Sequence, residues 1–138
     1  ILTESGWIFA KKNEKRMKFL DANIILRYLV RDAESKATKC FELFQALREN
    51  KEQVLTSEAI LTEVCYVLVS KRNQYHLSHS DIRVRLMPII SMSGLKIPNK
   101  KRYLRALDIF ALYSNLDIED ALTIFGLVLE NNLSIINR

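Results

Sequence analysis

The chain has 138 residues, 49% of them hydrophobic and 27% charged. This is enough apolar side chain for one packed domain, too little length for two complete ones, and not the composition of a disordered chain. Three glycines and two prolines exclude collagen-like and linker-rich readings and argue against a loop-rich all-β fold. Lysine and arginine outnumber the acids 21 to 16, and a net charge of +5 mildly favours a polyanionic partner.

Residues 1–16 differ from the rest of the chain. Lys11, Lys12, Lys15 and Arg16 outweigh Glu4 and Glu14, and Trp7, Ile8 and Phe9 stand as isolated apolar residues. A compact pattern begins at Met17. The expectation is an N-terminal extension or arm over 1–16 and one domain over 17–138; the alternative is a docked strand around residues 7–10. No basic segment precedes an apolar core and cleavage site, so no secretory signal is expected.

Lys18-Phe19-Leu20 reads as a short strand ending at Asp21, and Ile24, Ile25, Tyr28 and Leu29 follow at helical spacing. Residues 34–49 form a second helix, with Ala37, Cys40, Phe41, Phe44 and Leu47 on one face and Asn50 closing it. Gln53-Val54-Leu55-Thr56 is a second strand. Ser57 is a good N-cap for a helix striped by Ile60, Leu61, Val64, Cys65 and Leu68. The apolar run over residues 64–69 is far shorter than the roughly 20 residues of a membrane span.

Residues 71–79 read as a polar loop. Ser78 or Ser80 caps a helix through Ile82, Leu86 and Ile89, with Pro88 disturbing its end. After a turn over 91–94, Leu95-Lys96-Ile97 is a third strand, stopped by Pro98. Asn99 starts a helix on Tyr103, Leu104, Leu107, Ile109 and Phe110. Asp117 starts another on Ala121, Leu122, Phe125, Val128 and Leu129. Asn131-Asn132 breaks it, and 133–136 is a fourth strand. Short strands alternating with long helices predict an α/β fold, a three-layer α/β/α sandwich with a mostly parallel central sheet. In such folds the site lies at the carboxyl ends of the strands.

No HExxH, P-loop or Rossmann motif is present. Cys40 and Cys65 lie in apolar helical patterns without a CxxC partner, which argues against a disulfide framework or a cysteine zinc site and fits a reducing cytoplasm. His76 and His79 fall in the polar loop and read as surface histidines. Four acids stand out by placement. Asp21 follows a strand, Glu63 lies early in the helix after the second strand, and Asp117 and Asp120 open the last helix. Brought together, carboxylates call for a hard divalent cation such as Mg²⁺ or Mn²⁺, since like charges at close range otherwise raise one another's pKa. Each also has a structural reading: Asp21 and Asp117 as helix caps, Asp120 as a partner of the helix dipole, Glu63 as a solvated flank.

Phe19-Leu20-Asp21-Ala22-Asn23-Ile24-Ile25-Leu26-Arg27-Tyr28-Leu29 resembles the opening of PIN-domain ribonucleases, most closely the VapC-like toxins of bacterial toxin–antitoxin pairs. Leu55-Thr56-Ser57 with Leu61-Thr62-Glu63-Val64 and Tyr66-Val67-Leu68 resembles their second block, and Leu116-Asp117-Ile118-Glu119-Asp120-Ala121-Leu122 their third. The resemblance spans 17–138. It implies that Asp21, Glu63 and Asp120 are catalytic and hold Mg²⁺ or Mn²⁺, with Asp117 as an extra acid and Asn23 and Ser57 in support. It further implies endonuclease activity on RNA, neutralisation by a small antitoxin, and homodimerisation. One departure stands out: in Ser134-Ile135-Ile136-Asn137-Arg138, Asn137 takes the place of an Asp that family members often carry. An amide there supplies no charge.

Lys96, Lys100, Lys101, Arg102 and Arg105 form the densest basic patch, either a contact surface for RNA phosphates or a solvated helix face. The wide apolar face bearing Cys40, Phe41, Leu43, Phe44 and Leu47 fits a groove for a partner's amphipathic helix. The reading is a metal-dependent ribonuclease; the alternative is a PIN-like module that binds RNA or protein without cutting. An aspartyl phosphotransferase is disfavoured because Asp21-Ala22-Asn23 lacks the DxD pattern.

Overall fold

A computed structural model describes the backbone of residues 7–12, 15–30, 34–70 and 76–131, and the side chains of 18–30, 38–70 and 76–130. The strands are β1 (Trp7–Lys12), β2 (Lys15–Leu20), β3 (Val54–Leu55) and β4 (Leu95–Lys96). The helices are α1 (Ala22–Val30), α2 (Glu34–Arg48), α3 (Glu58–Val69), α4 (His79–Ile90), α5 (Lys100–Leu112) and α6 (Ile118–Asn131). The α/β alternation is therefore present in the described chain. The expected strand over 133–136 and Asn137 lie outside the described residues.

Strands β2, β3 and β4 are parallel, with Lys18 opposite Val54 and Val54 opposite Leu95. Strand β1 pairs antiparallel along the full length of β2, from Trp7 opposite Leu20 to Lys12 opposite Lys15. This pairing carries β2 back to Lys15, ahead of the Lys18 at which periodicity alone starts it, and puts residues 7–12 at the sheet edge. The order among the described strands is β1-β2-β3-β4, so no reversal of strand order marks a crevice there.

Parallel strands need cover, and the helices supply it with apolar stripes. Leu20, Val54 and Leu95 from the sheet are fully buried, as are Leu61, Val64 and Leu68 of α3, Leu86 of α4 and Leu107 of α5. Helix α5 packs against α4 and α6, while α3 touches α1, α4 and α6. On α2, Cys40, Phe44 and Leu47 are buried but Phe41 is 48% exposed, so the stripe is narrower than the run of apolar letters suggests.

Local chemistry sets most helix ends. The Ser57 and Ser78 hydroxyls accept the amides of Ile60 and Asp81 at 3.2 and 3.1 Å, so Ser78 rather than Ser80 caps α4. Asn50 adopts φ 58°. The Asn50 amide donates to Leu47 O and the Lys51 amide to Ala46 O, a Schellman closure of α2. Asn99 stands before α5 as expected, but in a left-handed conformation and without a side-chain cap bond. Pro88 is accommodated inside α4, which continues to Ile90. At Gly94 a Cβ would collide with the Glu52 carbonyl and stand 2.8 Å from Leu47 O, so the turn into β4 requires glycine.

Candidate active site

The site is built from the carboxyl ends of the strands. Thr56, only 2% exposed, donates its hydroxyl to Leu20 O at 3.1 Å. This buried bond ties the ends of neighbouring parallel strands and holds the backbone immediately before Asp21. Asp21 is half-buried, and its Oδ1 accepts the Ile24 amide at 3.2 Å, capping α1. A carboxylate has further acceptor capacity, so the cap does not exhaust Asp21. Ser57, by capping α3, fixes the helix start that carries Glu63. Asn23 and Glu63 are both exposed.

At the start of α6, Asp117 and Asp120 cap each other. The Asp120 amide donates to Asp117 Oδ1 at 2.8 Å and the Asp117 amide to Asp120 Oδ2 at 3.2 Å. Tyr66, one turn after Glu63 on α3, faces the same cavity as Asp117. Partial desolvation comes first, then the neighbouring Asp117 carboxylate and the negative charges of Glu119 and Asp120, in pushing the Tyr66 phenol up to about 12. Helix α3 thus stands between the Asp21 side of the site, through α1, and the Asp117–Asp120 side, through α6. Among the described residues, no three Asp, Glu, His or Cys side chains are grouped closely enough to hold one metal ion. Asp21 stands at the start of α1, and Asp117 and Asp120 at the start of α6, two helices that each touch α3.

The basic patch divides in two. Lys100 is committed inward: its ammonium donates to Met92 O at 3.1 Å and Leu95 O at 2.5 Å, tying α5 to the turn and strand before it. Desolvation, then the charge of Lys96, holds its pKa below the usual lysine value. Arg102 donates to both carboxylate oxygens of Glu58, at 2.8 and 2.9 Å. Lys96, Lys101 and Arg105 are exposed.

His79 departs from the surface reading. It is partly buried, its ring stacks on Phe110 with centroids 3.8 Å apart at 10°, and Nδ1 lies 2.9 Å from Phe110 O. A carbonyl only accepts, so Nδ1 carries the proton and donates. With Cys65, Tyr66, Val69, Phe110, Asp117 and neighbouring residues, His79 lines a cavity of about 210 Å³. His76 is exposed. Tyr66 enters the sequence reading only within the Tyr66-Val67-Leu68 run of the second family-like block, with no role attached. Thr56 and His79 gave no periodic signal, because both act through partners distant in sequence.

The PIN domain family matches residues 18–136, and the chain belongs to that family. No curated protein and no solved structure gives a match. PIN domains are of nuclease type, generally use divalent metal ions and bind RNA. Among the described residues no helix is long and apolar enough to cross a membrane.

Proposed function

We propose that this chain is a Mg²⁺- or Mn²⁺-dependent endoribonuclease, the toxin of a cytoplasmic toxin–antitoxin pair. The observation that carries the reading is the PIN-domain match over residues 18–136, with Asp21, Asp117 and Asp120 at the starts of α1 and α6 and Glu63 on α3, the helix that touches both.

The donor set is entirely carboxylate oxygen, which suits a hard cation. Mg²⁺ keeps several waters and commonly takes only one or two protein carboxylates plus substrate phosphate. An open arrangement of acids fits that habit. Asp21, Glu63 and Asp120 would hold the ion directly or through water, with Asp117 beside them. When bound, the ion supplies Lewis-acid polarisation of a phosphodiester and an activated water. Asn23 and Ser57 support the Asp21 and Glu63 ends. Lys96, Lys101 and Arg105 are the basic residues left to position phosphates, and affinity for RNA falls as salt rises.

Cleavage of a panel of structured RNAs in Mg²⁺, Mn²⁺ or EDTA tests the reading; strand scission should occur with either metal and stop in EDTA. A second reading, a module that binds RNA or protein without cutting, is favoured by the lack of a grouped acid triad among the described residues. Binding of RNA without scission in either metal would select it. For partners, the exposed Phe41 beside Tyr28, ring centroids 6.4 Å apart, supports an antitoxin helix docking near α1 and α2. Sedimentation of the isolated chain as a dimer, and capture of the product of the adjacent gene, are the expected results.

A further inference from the structure

The cavity lined by Tyr66, His79 and Phe110 is not needed for holding a cation, yet it shares Asp117 with the acidic site. Its volume, about 210 Å³, lies below the roughly 300–1,000 Å³ of pockets that enclose a whole small molecule. It accommodates one ring of a larger ligand. Three of its lining side chains are aromatic, and Tyr66 is 42% exposed. Cys65 forms a buried apolar wall. Ser114 and Asn115 add a hydroxyl and an amide at an exposed edge.

A flat ring with an apolar face and hydrogen-bonding edges matches this lining better than an aliphatic or charged group. RNA presents such rings when a base leaves the stack, and aromatic and histidine side chains receive them. The His79 tautomer adds a specific element. Because Nδ1 donates to Phe110 O, the neutral ring keeps Nε2 as an acceptor. Asn115 provides both a donor and an acceptor.

We propose that this cavity is a nucleobase subsite, which takes one unstacked base of an RNA strand passing the acidic residues. The inference rests on the ribonuclease reading for its substrate class and adds to it the place where a base is gripped. It makes positioning depend on one nucleotide, with Tyr66 as a positioning residue and the chemistry left to the acids.

The test measures binding, not cutting. Short single-stranded RNAs are titrated against the protein in EDTA, each carrying an abasic ribose at one position in turn. One abasic position should weaken binding roughly tenfold, the scale of a lost base–aromatic stack. In Tyr66→Leu that position should lose its effect while the others keep theirs; Asn115→Ala, at an exposed loop position, serves as a second variant. Equal affinities for all the abasic strands would overturn the proposal, as would an abasic penalty undiminished in both variants. Selective base binding together with uncut RNA in Mg²⁺ and Mn²⁺ would reject the nuclease reading and leave the subsite standing.

Discussion

Asp117 and Asp120 each hold the other's backbone amide, at 2.8 Å for the Asp120 amide and 3.2 Å for the Asp117 amide, so two acids proposed for metal chemistry also close the first turn of α6. The two roles separate by substitution. Asn at an N-cap accepts the same bond as Asp, whereas Ala removes it at a cost of about 1 kcal/mol. Asp117→Ala should therefore lower stability by about 1 kcal/mol in urea titration, and Asp117→Asn by a few tenths at most. If the carboxylate also holds the ion, Asp117→Asn should weaken Mn²⁺ binding by calorimetry without this loss of stability. Unchanged Mn²⁺ affinity would leave Asp117 with the capping role alone.

Asp21 offers the same separation at the other side of the site. Asp21→Asn preserves an acceptor for the Ile24 amide and removes one negative charge. Cleavage should fall at least as far as the roughly 10–100-fold typical of losing a metal site's outer hydrogen-bond partners, because a direct ligand is weakened. Loss of repulsion among the acids should leave the metal-free protein as stable as before or slightly more so. Equal turnover by the wild type and Asp21→Asn in Mg²⁺ would remove Asp21 from the site.

Thr56 links stability to geometry. Its hydroxyl is the buried donor to Leu20 O, one residue before Asp21. Thr56→Val keeps the shape and deletes the donor, which should cost about 1–3 kcal/mol because a buried carbonyl loses its partner. Thr56→Ser should recover most of that bond. The proposed activity should follow the same order, wild type and Ser above Val, when assayed well below each variant's unfolding midpoint. A Val variant as stable and as active as the wild type would show the Leu20 carbonyl to be satisfied otherwise.

What could be read in the sequence was what the chain decides locally. Asn50, Ser57, Ser78 and Asp117 sit at helix ends because their own side chains or backbone preferences act within a few residues. The apolar stripe of α3 was equally plain. Contacts closed by the fold were not legible. Arg102 meets Glu58 across 44 residues, and Thr56 reaches Leu20 across 36. The Lys100 ammonium is spent on backbone carbonyls, which no side-chain pattern announces. A run of five basic residues therefore looked like one surface until the structure drew Lys100 and Arg102 inward. His79 was hidden for a related reason, since its stacking partner Phe110 belongs to another helix.

The buried hydroxyl and thiol between α3 and α5 predict alkaline weakness. Tyr103 is fully buried, with its hydroxyl 3.2 Å from Thr62 Oγ1 and 3.8 Å from Cys65 Sγ. Desolvation pushes the Cys65 thiol up to about 12 from 9.0, against a smaller lowering by the Tyr103 bond, and burial likewise raises Tyr103. Both groups keep their protons in the folded chain at pH values where the unfolded chain has released them. The folded state then binds more protons, so stability must fall as pH rises. For Cys65 the window runs from about 9 to 12, with a limiting slope of about 1.4 kcal/mol per pH unit. Below about pH 8 neither group contributes a slope. Urea unfolding at pH 8 and pH 10 should show the decline, and Cys65→Ala should flatten it in part while Tyr103 retains its share. The thiol should also stay unreactive toward iodoacetamide at pH 8 until the chain unfolds, since the thiolate is the nucleophile. A slope identical in the wild type and Cys65→Ala, together with rapid alkylation of the folded protein, would mean that Cys65 is neither as buried nor as protonated as its place beside Tyr103 requires.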